Sequence, residues 1–84
     1  MDLSGAVITE HAAGRMSRRQ ISEAQVRAML AAPDEVLPVR PGRVVVHGMI
    51  GAYLLRVFVD VDREPAEVVT AYRTSRIDKY RSRP

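Results

Sequence analysis

The sequence predicts an α+β domain in which two N-terminal helices pack on one face of a four-stranded antiparallel meander sheet. Three observations carry that prediction. Residues 9–32 place apolar side chains at helical spacing behind two N-cap signals. Residues 35–73 hold four stretches rich in Val, Leu, Phe and Tyr, divided by turn residues. The stretch Ala52–Asp62, AYLLRVFVDVD, is apolar at both parities and contains no Pro or Gly, as expected of a central strand with both faces covered.

Length and composition set the bounds. Eighty-four residues make one domain, read as a lead-in over 1–8, a folded core over 9–73 and a basic tail over 74–84. With no cysteine there is neither a disulfide nor a thiolate metal site. Two histidines argue against zinc, so no metal and no cofactor are expected. No apolar run reaches the roughly 18 residues of a membrane span. The N-terminus lacks a basic segment ahead of an apolar one, so a cytoplasmic protein is expected. Twelve of the 13 basic residues are arginine. A GC-rich genome would produce that bias, and so would a phosphate-binding surface. The excess lies in the second half: Met1–Gly42 has five basic and five acidic residues, Arg43–Pro84 eight and five.

Element by element, Thr9 caps a helix over Glu10–Arg18, with Glu10 in the favourable first turn. Ser22-Glu23-Ala24-Gln25 is a capping box for a second helix over Glu23–Ala32, stopped by Pro33. Its Val26, Met29 and Leu30 share one face. Glu35–Val39 is a short strand that Pro38 pushes to a sheet edge. Arg40-Pro41-Gly42-Arg43 fits a type II turn. Arg43–Met49 follows as a strand, then a tight turn at Ile50-Gly51 into the central strand. A loop over Asp62–Ala66 leads to the last strand, Glu67–Arg73. Thr74–Pro84 reads as a mobile basic tail.

Alternation across the sheet separates two faces. With a two-residue turn at Ile50-Gly51 and Val61 opposite Glu67, Val44, Val46, Leu55, Val57, Val59, Val69 and Ala71 collect on an apolar face that receives the helices. The other face collects Val45, His47, Leu54, Arg56, Phe58, Thr70 and Tyr72, with no glutamate among them. Arg56, in the middle of an apolar strand, must be solvated, paired or facing an anion. Beside it His47 is able to move a proton, and Phe58 and Tyr72 to stack on bases. A solvated antiparallel face has a similar composition. On the first helix, His11 and Arg15 are four apart, as are Arg15 and Arg19, which lets His11 and Arg15 address one anion.

The ordered set His11-Ala12, Arg15-Met16, Arg19-x-Ile21-Ser22, Val26-x3-Leu30 and Pro33, followed by Leu55-Arg56-Val57 with Asp60 and then Val69-Thr70-Ala71-Tyr72-Arg73, resembles the bacterial family of domains of unknown function DUF4258, from about Ile8 to Tyr80. That family looks related in fold to the RelE-like and BrnT-like toxins, which are metal-independent ribonucleases. The resemblance implies a RelE-like fold and cleavage of RNA, often messenger RNA or ribosome-associated RNA, held in check by an antitoxin. An acidic antitoxin protein would suit the basic surface, and no membrane partner is implied. Catalytic roles then fall to His11, Arg15, Arg19, Thr70 and Tyr72, and substrate contacts to Arg56, His47, Arg73 and Arg76. The alternative is a non-catalytic RNA- or ribosome-binding module, or a protein-interaction domain, of the same fold. A difficulty follows from the faces: the first helix covers the apolar one, whereas Arg56 and Tyr72 lie on the other. A single site requires that helix to reach round a sheet edge.

Overall fold

The computed structural model describes residues 3–80. The elements run β1 (Val7–Ile8), α1 (Glu10–Arg18), α2 (Glu23–Ala31), β2 (Glu35–Arg40), β3 (Arg43–Ile50), β4 (Tyr53–Asp60), β5 (Glu67–Thr74) and α3 (Ile77–Tyr80). The five strands form one sheet in the order β1-β5-β4-β3-β2. The α+β class and both long helices are as expected, whereas the sheet has five strands rather than four, with β2 to β5 antiparallel neighbours in chain order. The sheet is mixed rather than purely antiparallel, because β1 adds a parallel pair to β5 at Val7–Glu67 and Ile8–Val68. The lead-in is packed from Leu3 onward: Leu3 and Ala6 are buried in the core, and Arg27 of α2 donates to the Ser4 and Ala6 carbonyls, each at 3.0 Å. A two-residue strand held by such tertiary contacts has no periodicity to betray it. The expected basic tail begins later, since Thr74 closes β5 and residues 77–80 form a helical turn; positions 81–84 and 1–2 lie outside the described residues.

Both predicted caps are present. The Thr9 hydroxyl accepts from the Ala12 amide at 3.1 Å and donates to the Val68 carbonyl at 3.1 Å. One side chain therefore starts α1 and fastens it to β5. Ser22 and Gln25 complete a reciprocal capping box on α2. Gly42, at φ +86°, supplies the left-handed residue of the Arg40–Arg43 turn.

Sheet register decides which residues can act together. The β3–β4 turn falls at Gly51-Ala52, one residue later than predicted, pairing Ile50 with Tyr53. Pairing thereby slips by two residues, an even number, so each side chain keeps its predicted face. Two bulges change the rest. In β5 the register shifts between Phe58 and Val59, which leaves Val69 as the extra residue and sets Val59 opposite Val68. Val68, not Val69, is thus the buried core residue, and Glu67 faces Asp60 instead of Val61. In β2 the register shifts between Pro38 and Arg40. Without that bulge Glu35 would lie opposite Gly48; with it, Glu35 lies opposite His47 and joins the face from which a glutamate was expected to be absent.

The core forms where α1 and α2 meet the apolar face: Ala12, Met16, Val26, Met29 and Leu30 against Val46, Leu55, Val57, Val59, Val68 and Ala71. Gly48 lets α2 approach β3, because a Cβ there would stand 2.5 Å from Met29 Cγ and 2.7 Å from its Sδ. Gly48→Ala is expected to destabilise the domain by about 1–3 kcal/mol through overpacking, read as a lower urea midpoint at unchanged m-value. Gly5→Ala, with open space around its Cβ position, is the control.

Candidate functional site

The first helix does reach round the sheet edge. β1 pairs with β5 only at Glu67 and Val68, so the outer edge of β5 is uncovered beyond that point. α1 lies along it. Arg19 Nη1 donates to the Ala71 carbonyl at 2.8 Å and to the Thr70 hydroxyl at 3.3 Å. Arg19 thereby holds the helix against the strand. Thr70 accepts from Arg19 and keeps its own O–H to donate.

Beside this contact a cavity of about 370 Å³ is lined by His11, Arg15, Arg43, Val69 and Thr70. The β5 bulge contributes Val69 and Thr70, α1 contributes His11 and Arg15, and β3 contributes Arg43. Arg15 Nε donates to His11 Nε2 at 2.8 Å, a contact that the four-residue spacing on one helix makes possible. The bond leaves the neutral imidazole proton on Nδ1. His11 is exposed and Arg15 half-buried. Among the described residues Arg15 forms no ion pair, whereas Arg43 is held by Asp60 through two hydrogen bonds of 2.7 and 3.2 Å.

That pair has consequences for pH. The hydrogen bonds from Arg43 hold the Asp60 carboxyl below its ordinary range, and Asp60 in turn holds the Arg43 guanidinium above its own. A carboxyl whose folded pKa is depressed contributes its stability above the unfolded pKa and loses it as pH falls through the folded one. Asp60→Asn is therefore expected to cost about 1 kcal/mol at pH 7. The difference from wild type should shrink to nothing below the ordinary carboxyl range, as followed by urea denaturation at a series of pH values.

A second cluster crosses the face of the sheet away from the helices, where Val45, His47 and Leu54 are nonetheless buried. Glu35, His47, Arg56 and Tyr72 are direct partners across β2, β3, β4 and β5 and are linked hand to hand. His47 Nδ1 lies 2.7 Å from Glu35 Oε1, Arg56 Nε donates to His47 Nε2 at 3.0 Å, and Arg56 Nη1 donates to the Tyr72 hydroxyl. Because Nε2 accepts from Arg56, the proton of neutral His47 sits on Nδ1 and is donated to Glu35. His47 is 0% exposed with both ring nitrogens engaged. The expectation that it would meet a substrate on an open face is corrected: it fixes the pose of Arg56 from beneath. Arg56 itself is flanked by rings, its guanidinium carbon lying 5.2 Å from the Phe58 centroid, 5.5 Å from Tyr72 and 4.0 Å from Tyr80. Phe58 and Tyr72 stack with centroids 6.2 Å apart and planes inclined by 18°.

Thr70 and Tyr72 are two apart on one strand, so the clusters are neighbours at about 7 Å along β5. His11, Arg15, Arg19 and Thr70 form the edge group; Tyr72, Arg56 and His47 form the face group. Two remaining candidates belong to neither. Arg73 pairs across from Leu55, which puts it on the helix side, where it donates to the Gln20 carbonyl at 3.2 Å. It reaches the α1–α2 turn there, on the side of the sheet opposite Arg56. Arg76 is exposed, with its amide on the Thr74 hydroxyl. Residues not singled out beforehand are Arg43, Glu35 and Tyr80. Only the turn register would have exposed Arg43, and Glu35 was hidden by the bulge in its own strand.

A family model described as a domain of unknown function (DUF4258) matches residues 8–73. The chain belongs to the DUF4258 family. No curated protein and no solved structure matches it. The DUF4258 match runs from Ile8, the second residue of β1, through most of β5 and contains every residue of the edge group. It stops short of α3, so Tyr80 lies beyond the family segment, as does the Tyr80 end of the resemblance drawn from sequence. Among the described residues, no helix of this DUF4258 chain is long and apolar enough to cross a membrane.

Proposed function

We propose that this DUF4258 chain is a small endoribonuclease of RelE-like type, the toxin of a toxin–antitoxin pair, acting at the edge group. The observation that carries this reading is the convergence of His11, Arg15 and Thr70, from distant parts of the chain, on one cavity fastened by Arg19. Cleavage within an RNA chain needs a base for the 2′-hydroxyl, donors for the developing phosphorane and a proton for the leaving oxygen. In the resting state Arg15 occupies the His11 Nε2 lone pair. An incoming phosphodiester draws the Arg15 guanidinium to its oxygens, where planar N–H groups bind two at a time. Nε2 is then free to take the 2′-hydroxyl proton. O2′ attacks phosphorus, the P–O5′ bond breaks, and O5′ leaves with a proton from water or from the Tyr72 hydroxyl. The products are a 2′,3′-cyclic phosphate and a 5′-hydroxyl. Thr70 donates its O–H to a phosphate oxygen, Arg43, its charge offset by Asp60, bounds the rim, and Arg19 positions α1. The resemblance drawn from the sequence motifs implies the same reading, and the order of helices followed by consecutive antiparallel strands is compatible with it. The basic surface suits an acidic antitoxin.

The test is a defined single-stranded RNA incubated with purified protein in chelator. Expected are fragments with cyclic phosphate and 5′-hydroxyl ends, and no cutting where the nucleotide 5′ to the cut carries 2′-deoxyribose. Uncut RNA that is nonetheless bound with a steep salt dependence would instead make the chain a binding module.

A further inference from the structure

The contact between Tyr80 and Arg56 differs from the others on the face away from the helices. His47 and Tyr72 grip Arg56 by hydrogen bonds along its edge, with Glu35 behind them holding His47. Tyr80 instead lays its ring over the guanidinium at 4.0 Å, the nearest of the three rings. It is carried by the four-residue α3, which has no buried residue. An element with so little apolar burial is displaced at low cost. Beneath it lie a fixed cation and the stacked pair Phe58 and Tyr72, all on frames of regular strand. A planar guanidinium bordered by aromatic rings is a surface on which an unpaired base stacks, and Tyr80 covers it with a flat ring of similar size.

Resting on the ribonuclease reading above, we propose that the Arg56 face now covered by Tyr80 is a nucleobase-stacking subsite, and that Tyr80 is its displaceable occupant. Thr70 lies in the phosphate cavity and Tyr72 beside Arg56, two residues apart on β5. The roughly 7 Å between them matches a base stacked one nucleotide from the scissile phosphate. The substrate class is accordingly single-stranded RNA with a splayed base, not a paired helix.

The test uses the full chain and a dinucleotide carrying the fluorescent base 2-aminopurine, with 2′-deoxyribose at the first sugar so that it cannot be cut. Tyr80→Ala is expected to bind it about tenfold more tightly than wild type, with stronger quenching, and to bind an abasic dinucleotide no better. Tyr80→Phe keeps the ring but gives up the hydroxyl's hydrogen bond to the Tyr72 side chain, so its binding should stay well below that of Tyr80→Ala. Adding Arg56→Ala to Tyr80→Ala should erase the gain, with circular dichroism confirming that the double variant is folded. Unchanged or weaker binding by Tyr80→Ala overturns the proposal; weaker binding would make Tyr80 a platform rather than an occupant. A gain shared by the abasic probe also overturns it. The gain should persist in a His11→Ala background. Failure of cleavage chemistry and failure of the stacking subsite are therefore read separately.

Discussion

His11→Ala is expected to lower the rate of RNA cleavage by about 10²–10⁴-fold, the range for removal of a general base. On the proposed ribonuclease reading, and measured with protein in excess over RNA, the loss should fall on the chemical step, because Arg15 and Thr70 are left in place. The fold should be untouched. His11 is exposed and hydrogen-bonds only Arg15 among the described residues, so the change in stability should stay within about 0.5 kcal/mol. Arg15→Lys separates the two roles of its partner. Lysine keeps a charge near the phosphate but loses the planar fork, so cleavage should fall while binding is largely retained. Equal cleavage rates for wild type and His11→Ala would end the catalytic assignment of the edge group.

The second large effect is structural. Glu35→Ala is expected to destabilise the domain by about 2–3 kcal/mol, because it strands the His47 Nδ1–H in a site with no exposure to water. For a domain of this size that loss lowers Tm by roughly 10 °C or more. Glu35→Gln, which keeps an acceptor, should cost clearly less. If Glu35→Ala and a neutral surface change such as Ala31→Ser melt together, the chain of hydrogen bonds from β2 to β5 is not the support described for Arg56.

Much of this architecture was legible in the residues themselves. Thr9 and the Ser22–Gln25 box fixed the helix starts because cap chemistry is local, and the Arg40–Arg43 turn followed from Pro41 and Gly42. The polar face came out right although the β3–β4 turn was misplaced, because an even slip preserves alternation. What escaped was set by non-local forces. A bulge is one residue unpaired by its neighbour strand, and nothing in EVLPVR or EVVTAYRT marks Val39 or Val69 as that residue. Yet these two positions decide that Glu35 meets His47 and that Val68 is buried. The parallel pairing of Val7–Ile8 and the packing of Tyr80 over Arg56 likewise depend on elements distant in sequence. The helical spacing of His11, Arg15 and Arg19 was visible; that Arg19 would grasp the edge of β5, and so bring the first two to Thr70, was not.

The grip of Thr9 and Arg19 on the Val68 and Ala71 carbonyls has a further result. Those acceptors would otherwise invite a foreign strand to dock and start an aggregate. With one flank of the sheet closed by the two-residue β1 and then by α1, and the opposite flank interrupted by Pro38, which has no amide to offer, neither margin presents a long clean template. High working concentrations should therefore be tolerated without fibril growth.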